Sequence, residues 1–356
     1  TYLIGNSVQN FYGVTFAGLT YAGIYTGGTG TYKSSTGKIE LKDADGNTIE
    51  TVTGKGKPTT ISAVWGFMTH GGATVNVLDG TVVNAEEAVF LHKRGDVSFV
   101  ADNAKLNSGS GILLQMIDND DSTVGGSMNG FNTEFKEAAG WPSENGSVTK
   151  AGASAGGGMP GGQQGGMPGG DMAGGRGEMQ GGMPGGDMAG GRGEMQGGPG
   201  GGGGGGAGGG AKLVLTNGDY KGDVLNGSGY YNQSGNSLDV SIGKGATLTG
   251  AISLTETRHV NEKGEQNTHF TINEYYYLGH VANRNYRNET ASISVNLKDG
   301  GKWTVTGESL ISKLVVDKGV IEGAKGAKVV MKVDGKETAI KAGNTYEGDI
   351  VISLAK

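Results

Sequence analysis

LDVSIGKGATLTGAISL at residues 238–254 and ISVNLKDGGKWTVTGESL at 293–310 read as two versions of one unit. Each opens on alternating apolar and polar residues, breaks at a Gly-containing turn, resumes the alternation, and breaks again at glycine. Alternation of this kind places successive side chains on opposite faces of a β-strand, and the glycines punctuate strand from strand. Shorter pieces carry the same strand, Gly, strand order: DYKGDV (219–224), TLTGAI (247–252), TVTGES (304–309) and TYEGDI (345–350).

The N-terminal half has its own set. AVWGF (63–67) is followed by ATVNVLDG (73–80), AVFLH (88–92) by DVSFVADN (96–103), and then comes GILLQMID (111–118). Val64, Val89 and Leu113 stand 25 and 24 residues apart, and Val75 and Val77 match Val97 and Phe99 at a spacing of 22. Short strands recurring with a period in the low twenties, separated by Gly, Asn and Asp turns, are the pattern of a solenoid. The expected fold is all-β, a parallel β-solenoid (right-handed β-helix) interrupted by a long Gly-rich segment. Two β-sandwich-like domains are the alternative that strand spacing leaves open.

The interruption is residues 156–211. Glycine occupies 31 of the 55 positions from 156 to 210, and GGMPGGDMAGGRGEMQ occurs twice, at 165–180 and 181–196. Glycine loses the most backbone entropy on ordering and has no side chain to bury, so this tract builds no core of its own. The chain therefore divides into 1–155, 156–211 and 212–356, with a long excursion between strands at 255–291. Strand-rich repeats on both sides of a GGMPGG-type tract resemble the secreted right-handed parallel β-helix proteins of anaerobic gut-type bacteria. The resemblance implies an extracellular, surface or adhesin-like role and no particular activity.

Composition narrows the function classes. The net charge is −6, which lacks the basic footprint of a nucleic-acid binder. There is no cysteine, so disulfides, thiolate metal sites and thiol catalysis are excluded. No run of 18 apolar residues is present, so no helical membrane span is expected.

The excursion TETRHVNEKGEQNTHFTINEYYYLGHVANRNYRNETA (255–291) is the strongest candidate contact region. It supplies Arg258, His259, Tyr275, Tyr276, Tyr277, Arg284 and Arg287. Tyr and Arg give large, rigid contact areas for a glycan or a protein partner; the plain alternative is a hairpin whose tyrosines pack on the flank of the strands. His259, His269 and His280 stand 10 and 11 apart, which matches no compact zinc motif. Asp118, Asp120 and Asp121 lack the calcium-loop pattern. Together with Lys93 they form a carboxylate and base set of the kind a polysaccharide lyase or hydrolase needs, and nothing in the repeats singles them out. In the tract, Met167, Met172, Met183 and Met188 fall at matching positions of the duplication and read as adaptable apolar pins. No catalytic residue, metal site or cofactor is expected.

The chain starts at Thr1, which reads as a leader removed or a maturation site. It ends in TYEGDIVISLAK, an alternating strand with no amphipathic helix after it. Both ends read as open sheet edges, and an open edge seeks a partner. The expectation is an extracellular structural protein that self-assembles into a filament or surface layer through its ends and the tract, hence a homopolymer. A cell-surface adhesin or glycan-binding module using 255–291 is the alternative.

Overall fold

The computed structural model describes residues 2–3, 8–26, 31–35, 38–42, 48–53, 56–70, 72–117, 210–229, 236–259 and 281–355. The chain divides into two units. The first takes in both flanks, residues 1–157 and 207–356; the second, 158–206, lies outside the described residues. The described residues are almost entirely strand, arranged in long and mostly parallel sheets.

The chain visits the sheets in a fixed rotation. Sheet one contains β1 (Tyr2–Leu3), β3 (Thr15–Thr26), β7 (Thr60–His70), β10 (Phe90–Arg94), β13 (Ile112–Met116), β16 (Asp223–Asn226) and β19 (Ile252–His259), in that order. Sheet two runs β2 (Val8–Tyr12), β4 (Thr31–Ser35), β8 (Ala73–Leu78), β11 (Val97–Asp102), β14 (Gly210–Thr216), β17 (Ser237–Ile242), β21 (Ser292–Leu297) and β23 (Ser309–Val316). A third position is taken by β9 (Val82–Ala85) paired with β12 (Lys105–Ser108), and by the sheet β15 (Gly218–Lys221), β18 (Ala246–Thr249), β22 (Lys302–Val305) and β24 (Val320–Gly323). One hairpin, β5 (Lys38–Lys42) with β6 (Thr48–Thr53), stands apart.

Parallel register turns the sequence repeat into columns of like side chains. In sheet two, Tyr32, Val75, Phe99, Leu213, Val240, Val295 and Leu314 are successive partners, and all belong to one buried core. In sheet one the inward column is Ile24, Phe67, Phe90, Leu114, Val224 and Ile252. The two columns meet in the interior, where Tyr32, Phe67, Phe90 and Phe99 form a run of aromatic contacts with centroids 4.6–5.5 Å apart.

The opening pair of sequences holds strand by strand. Leu238 faces Ile293 and Leu248 faces Trp303, each pair 55 residues apart. The pairing of Phe90 with Leu114 keeps the spacing of 24 between Val89 and Leu113, whereas the N-terminal spacings of 22 and 25 need correction by two residues. Phe99 pairs with Val75 and Ala101 with Val77, a spacing of 24, and the partner of Phe90 is Phe67. A two-residue slip preserves which face a side chain occupies, so the alternation alone could not reveal it.

The flanks are not separate sandwiches. β14 pairs in parallel with β11, residue for residue from Val97 with Ala211 to Asp102 with Thr216. Strand β14 begins at Gly210, inside the stretch read as low complexity. The corner from sheet two to the third position is tight and uniform. A residue with positive φ sits there in successive repeats, including Asp79, Asn103, Asn217 and Asp299, and Asn and Asp tolerate that left-handed conformation best after glycine.

The C-terminal end is closed, which corrects the expectation of an open last edge. β27 (Asn344–Leu354) runs antiparallel on β23, and β25 (Val329–Val333) runs antiparallel on β27, with β26 (Lys336–Glu337) outermost. Ile350, Ile352 and Met331 complete the core from this side. TYEGDI is therefore part of an antiparallel cap and not a fourth copy of the parallel unit. Asp334 and Gly335, at φ 49° and 77°, make the two-residue turn between β25 and β26. The Asp334 carboxylate also accepts the Asp349 N–H at 2.9 Å. Lysines at 332 and 336 sit on the outermost strands, where charge discourages further pairing. Among the described residues no helix is long and apolar enough to cross a membrane.

Candidate interaction face

The outward side of sheet one departs from the rest of the surface. Successive partners along it are Tyr25, Met68, Leu91, Gln115, Leu225 and Ser253. Trp65, Met68 and Leu91 are 0% exposed and Leu225 is 2%. With Val64, Ala88, Ile112, Ile117 and Val281 they form a second apolar cluster, distinct from the interior core. The outward side of sheet two carries Thr74, Asn76, Ser98, Lys212 and Asp239, all half-buried or exposed. Sequence carries the difference: ATVNVL alternates, whereas AVWGF, AVFLH and GILLQM are nearly continuous apolar runs, the mark of strands buried on both faces. Read only as repeat markers, those runs leave the second face unnoticed.

A hairpin lies across this face. The far half of β19 pairs antiparallel with β20 (Val281–Asn285). On one side of the hairpin, Asn283 Nδ2 donates to Gln115 Oε1 at 2.8 Å, and the Thr257 hydroxyl donates to Asn283 Oδ1 at 2.7 Å. Thr255 and Thr257 share a hydroxyl contact of 3.1 Å. Thr257 occupies the space beside Gly227, where a side chain would collide with it. These polar groups are buried and satisfy one another, as burial requires.

On the other side, Arg258 Nε donates to Glu256 Oε1 at 2.9 Å, and Arg284 pairs with Glu256 Oε2. Arg258 and Arg284, expected to meet a ligand, are held instead by one buried carboxylate. Arg287 is also structural. Its guanidinium donates to the Ile311 and Ile350 carbonyls at 3.3 and 3.1 Å and lies 3.3 Å from Asp349, tying the cap to β23. His259 ends β19, and its side chain lies outside the described residues. Tyr275, Tyr276, Tyr277, Met167, Met172, Met183 and Met188 lie outside them too, as do Asp118, Asp120 and Asp121. Lys93 is 1% exposed, so it is not a surface base.

The long segments leave from one corner. The connection from sheet one to sheet two is 71–72 after β7 and 95–96 after β10. It becomes 117–209 after β13 and 227–236 after β16, and after β19 it carries the excursion. The 227–236 connection is pinned by Asn226, whose Nδ2 donates to the Asn236 and Ser292 carbonyls at 2.9 and 3.2 Å. Among the described residues no group of three or more His, Asp or Glu is placed to hold a metal ion. An open groove of about 860 Å³ lies between β24 and the cap, lined by Ile321, Lys325, Lys328, Val330 and Ile340 among others. No protein-family model matches the chain, and no curated protein or solved structure matches it.

Proposed function

We propose that this chain is a parallel β-solenoid with a structural and interaction role outside the cell, in which the long insertions between strands serve contact and not folding. The observation that carries this reading is the unbroken pairing of β11 with β14. Ninety-odd residues leave after β13 and return to the very next strand position, where β10 manages the same step with Gly95 and Asp96. A scaffold that stacks without help from an insertion retains it for some purpose other than folding, and in repeat architectures such insertions gather on the contact face. Self-assembly into a filament or layer through the tract, and binding of a glycan or cell-surface partner, both follow from that arrangement. End-to-end stacking through the C-terminal edge is disfavoured by the antiparallel cap. The absence of cysteine and the Gly/Met/Pro repeat support the extracellular setting.

The test replaces residues 118–209 with the Gly-Asp connection used after β10. Negative-stain microscopy and light scattering follow assembly, and a glycan array follows binding, for both chains. The expected result is a folded monomer that has lost assembly or binding. Polymers and glycan binding that survive the replacement would remove the segment's role, and a chain that no longer folds would overturn the premise that the scaffold stands alone.

A further inference from the structure

The seam where β11, β12 and β13 meet β14, β15 and β16 differs from the seams on either side of it. The preceding one has three parallel ladders, β8 with β11, β9 with β12 and β10 with β13. The following one has three as well, β14 with β17, β15 with β18 and β16 with β19. At the seam between them, β11 pairs with β14 and β13 with β16, but β12 and β15 do not pair with each other. Unequal lengths are the cause. Between the matched pairs Asp102–Thr216 and Leu114–Val224, one turn of the chain uses residues 103–113 and the next uses only 217–223. Main-chain bonds resume on either side of the gap. The Asn103 N–H donates to the Thr216 carbonyl at 3.3 Å, and the Asp223 N–H donates to the Gly111 carbonyl at 2.8 Å.

The same seam has the longest covalent path across it. Residues 117–209 connect β13 to β14, whereas 95–96 connect β10 to β11. The advantage of a chain's own second half over a neighbour's falls as the connection lengthens. The halves therefore meet as two partners do, through contacts. The Gly210 N–H donates to Asp96 Oδ1 at 2.6 Å, and Asn217 Nδ2 donates to Asp102 Oδ1 at 2.7 Å, so a carboxylate near each end of β11 grips the arriving strand. Phe99 faces Leu213 in the core column, and Asn283 reaches back to Gln115 from the other side of the seam. None of these contacts distinguishes the β14 of one copy from the β14 of another. Resting on the assembly reading above, we propose that the half from Gly210 onward of one copy docks on the half ending at Ile117 of a second copy. Exchange of an identical element between copies makes no new kind of contact, so it gives up nothing at the seam itself. Handed on from copy to copy, it makes this seam the joint of the homopolymer.

The lack of cysteine lets single thiols report on the seam. Ser98→Cys and Lys212→Cys are direct partners across it on the outward side of sheet two, while Thr74→Cys is the direct partner of Ser98→Cys within the first half. Full-length copies with one thiol each, told apart by a tag, are mixed, refolded together from denaturant over a range of concentrations, and oxidised. The expected result is a 98–212 cross-link between copies at least ten times as abundant as a 74–98 cross-link. Equal yields, or no cross-link between copies, overturn the exchange. In a second experiment one chain carries both Ser98→Cys and Lys212→Cys and is refolded dilute and oxidised, so that each copy is closed on itself. Its assembly, followed by light scattering, is expected to fall at least tenfold and to return after reduction and refolding at high concentration. Polymers from the closed copies overturn the exchange and leave assembly through the insertion standing. An unsubstituted chain that stays monomeric at every concentration removes the assembly reading and this proposal with it.

Discussion

Sheets one and two are both stacked in parallel from the same chain, yet only one of them is dressed for water. In sheet two β8, β11, β14, β17 and β21 hide every second side chain, and Ser98 and Lys212 meet solvent between Val97, Phe99 and Leu213. In sheet one β13 hides all five of its residues. The difference teaches that parallel stacking by itself needs only one apolar face. The second apolar face on sheet one answers a separate demand, the seating of the β19–β20 hairpin, whose Val281 joins its cluster. The hydrophobic return on that seat is considerable, since burying a Leu or Met side chain is worth about 1.5–3 kcal/mol.

The largest expected effect tests what holds the hairpin on sheet one. Glu256→Ala removes the buried carboxylate that Arg258 and Arg284 share. It is expected to cost about 3–5 kcal/mol by denaturant unfolding, because buried guanidinium charge is left behind. A loss under about 1 kcal/mol would mean that the hairpin is not anchored there.

A direct contrast comes next. Leu91→Ala on sheet one should cost about 2–5 kcal/mol, whereas Val100→Ala, outward on sheet two and half-buried, should cost no more than about 0.5 kcal/mol. Equal losses in the two variants would erase the distinction between the sheets.

The cap is the third point of attack. Arg287→Ala strips donors from the Ile311 and Ile350 carbonyls and is expected to cost about 1–3 kcal/mol. The loss should appear first as faster hydrogen exchange in β25 and β27. Uniform exchange across the sheets would show that Arg287 does not hold the cap.

The smallest effect concerns Asp223, where the third position turns into sheet one. Burial pushes its carboxyl above the ordinary value, opposed by the Ala251 N–H that it accepts at 2.8 Å. A raised value in the fold means that Asp223 favours folding while protonated. That contribution is complete below the ordinary carboxylate range and is lost as pH rises through the raised value. Asp223→Asn keeps an acceptor for Ala251, so it should raise the melting temperature at pH 7 and lose that gain as pH falls below about 4. A gain that persists in acid would point to packing as its source.

Strand positions and inward faces were legible in the sequence wherever alternation was strict, as at 73–78 and 238–242. Register was not, because slipping Phe99 from Val75 to Val77 keeps every side chain on its proper side. Strand direction was not either. TYEGDI alternates as well as DYKGDV, and only the Asp334-Gly335 turn, a strong hairpin signal, foretold that the last strands reverse. Arg284 and Arg287 read as surface contacts because their carboxylate and carbonyl partners lie on other strands, 24 residues away or more; Arg258 has its partner Glu256 two residues away on the same strand, on the same side of it. Among the candidate contact residues, the sequence reading did not anticipate that Arg258, Arg284 and Arg287 are already committed to partners within the chain.

The meeting of β11 with β14 also bears on how the chain reaches its fold. Val97 and Ala211 are neighbours although more than a hundred residues separate them. Closing a loop of that size, compared with the two-residue step after β10, costs roughly 3 kcal/mol of chain entropy, since the penalty grows only with the logarithm of length. The repeats before the insertion can therefore assemble first and offer β11 as a template edge, on which β14 and the later strands zip in order. Two separate polypeptides divided within the insertion should find each other by the same edge, at a rate set by their concentration instead of by the tether.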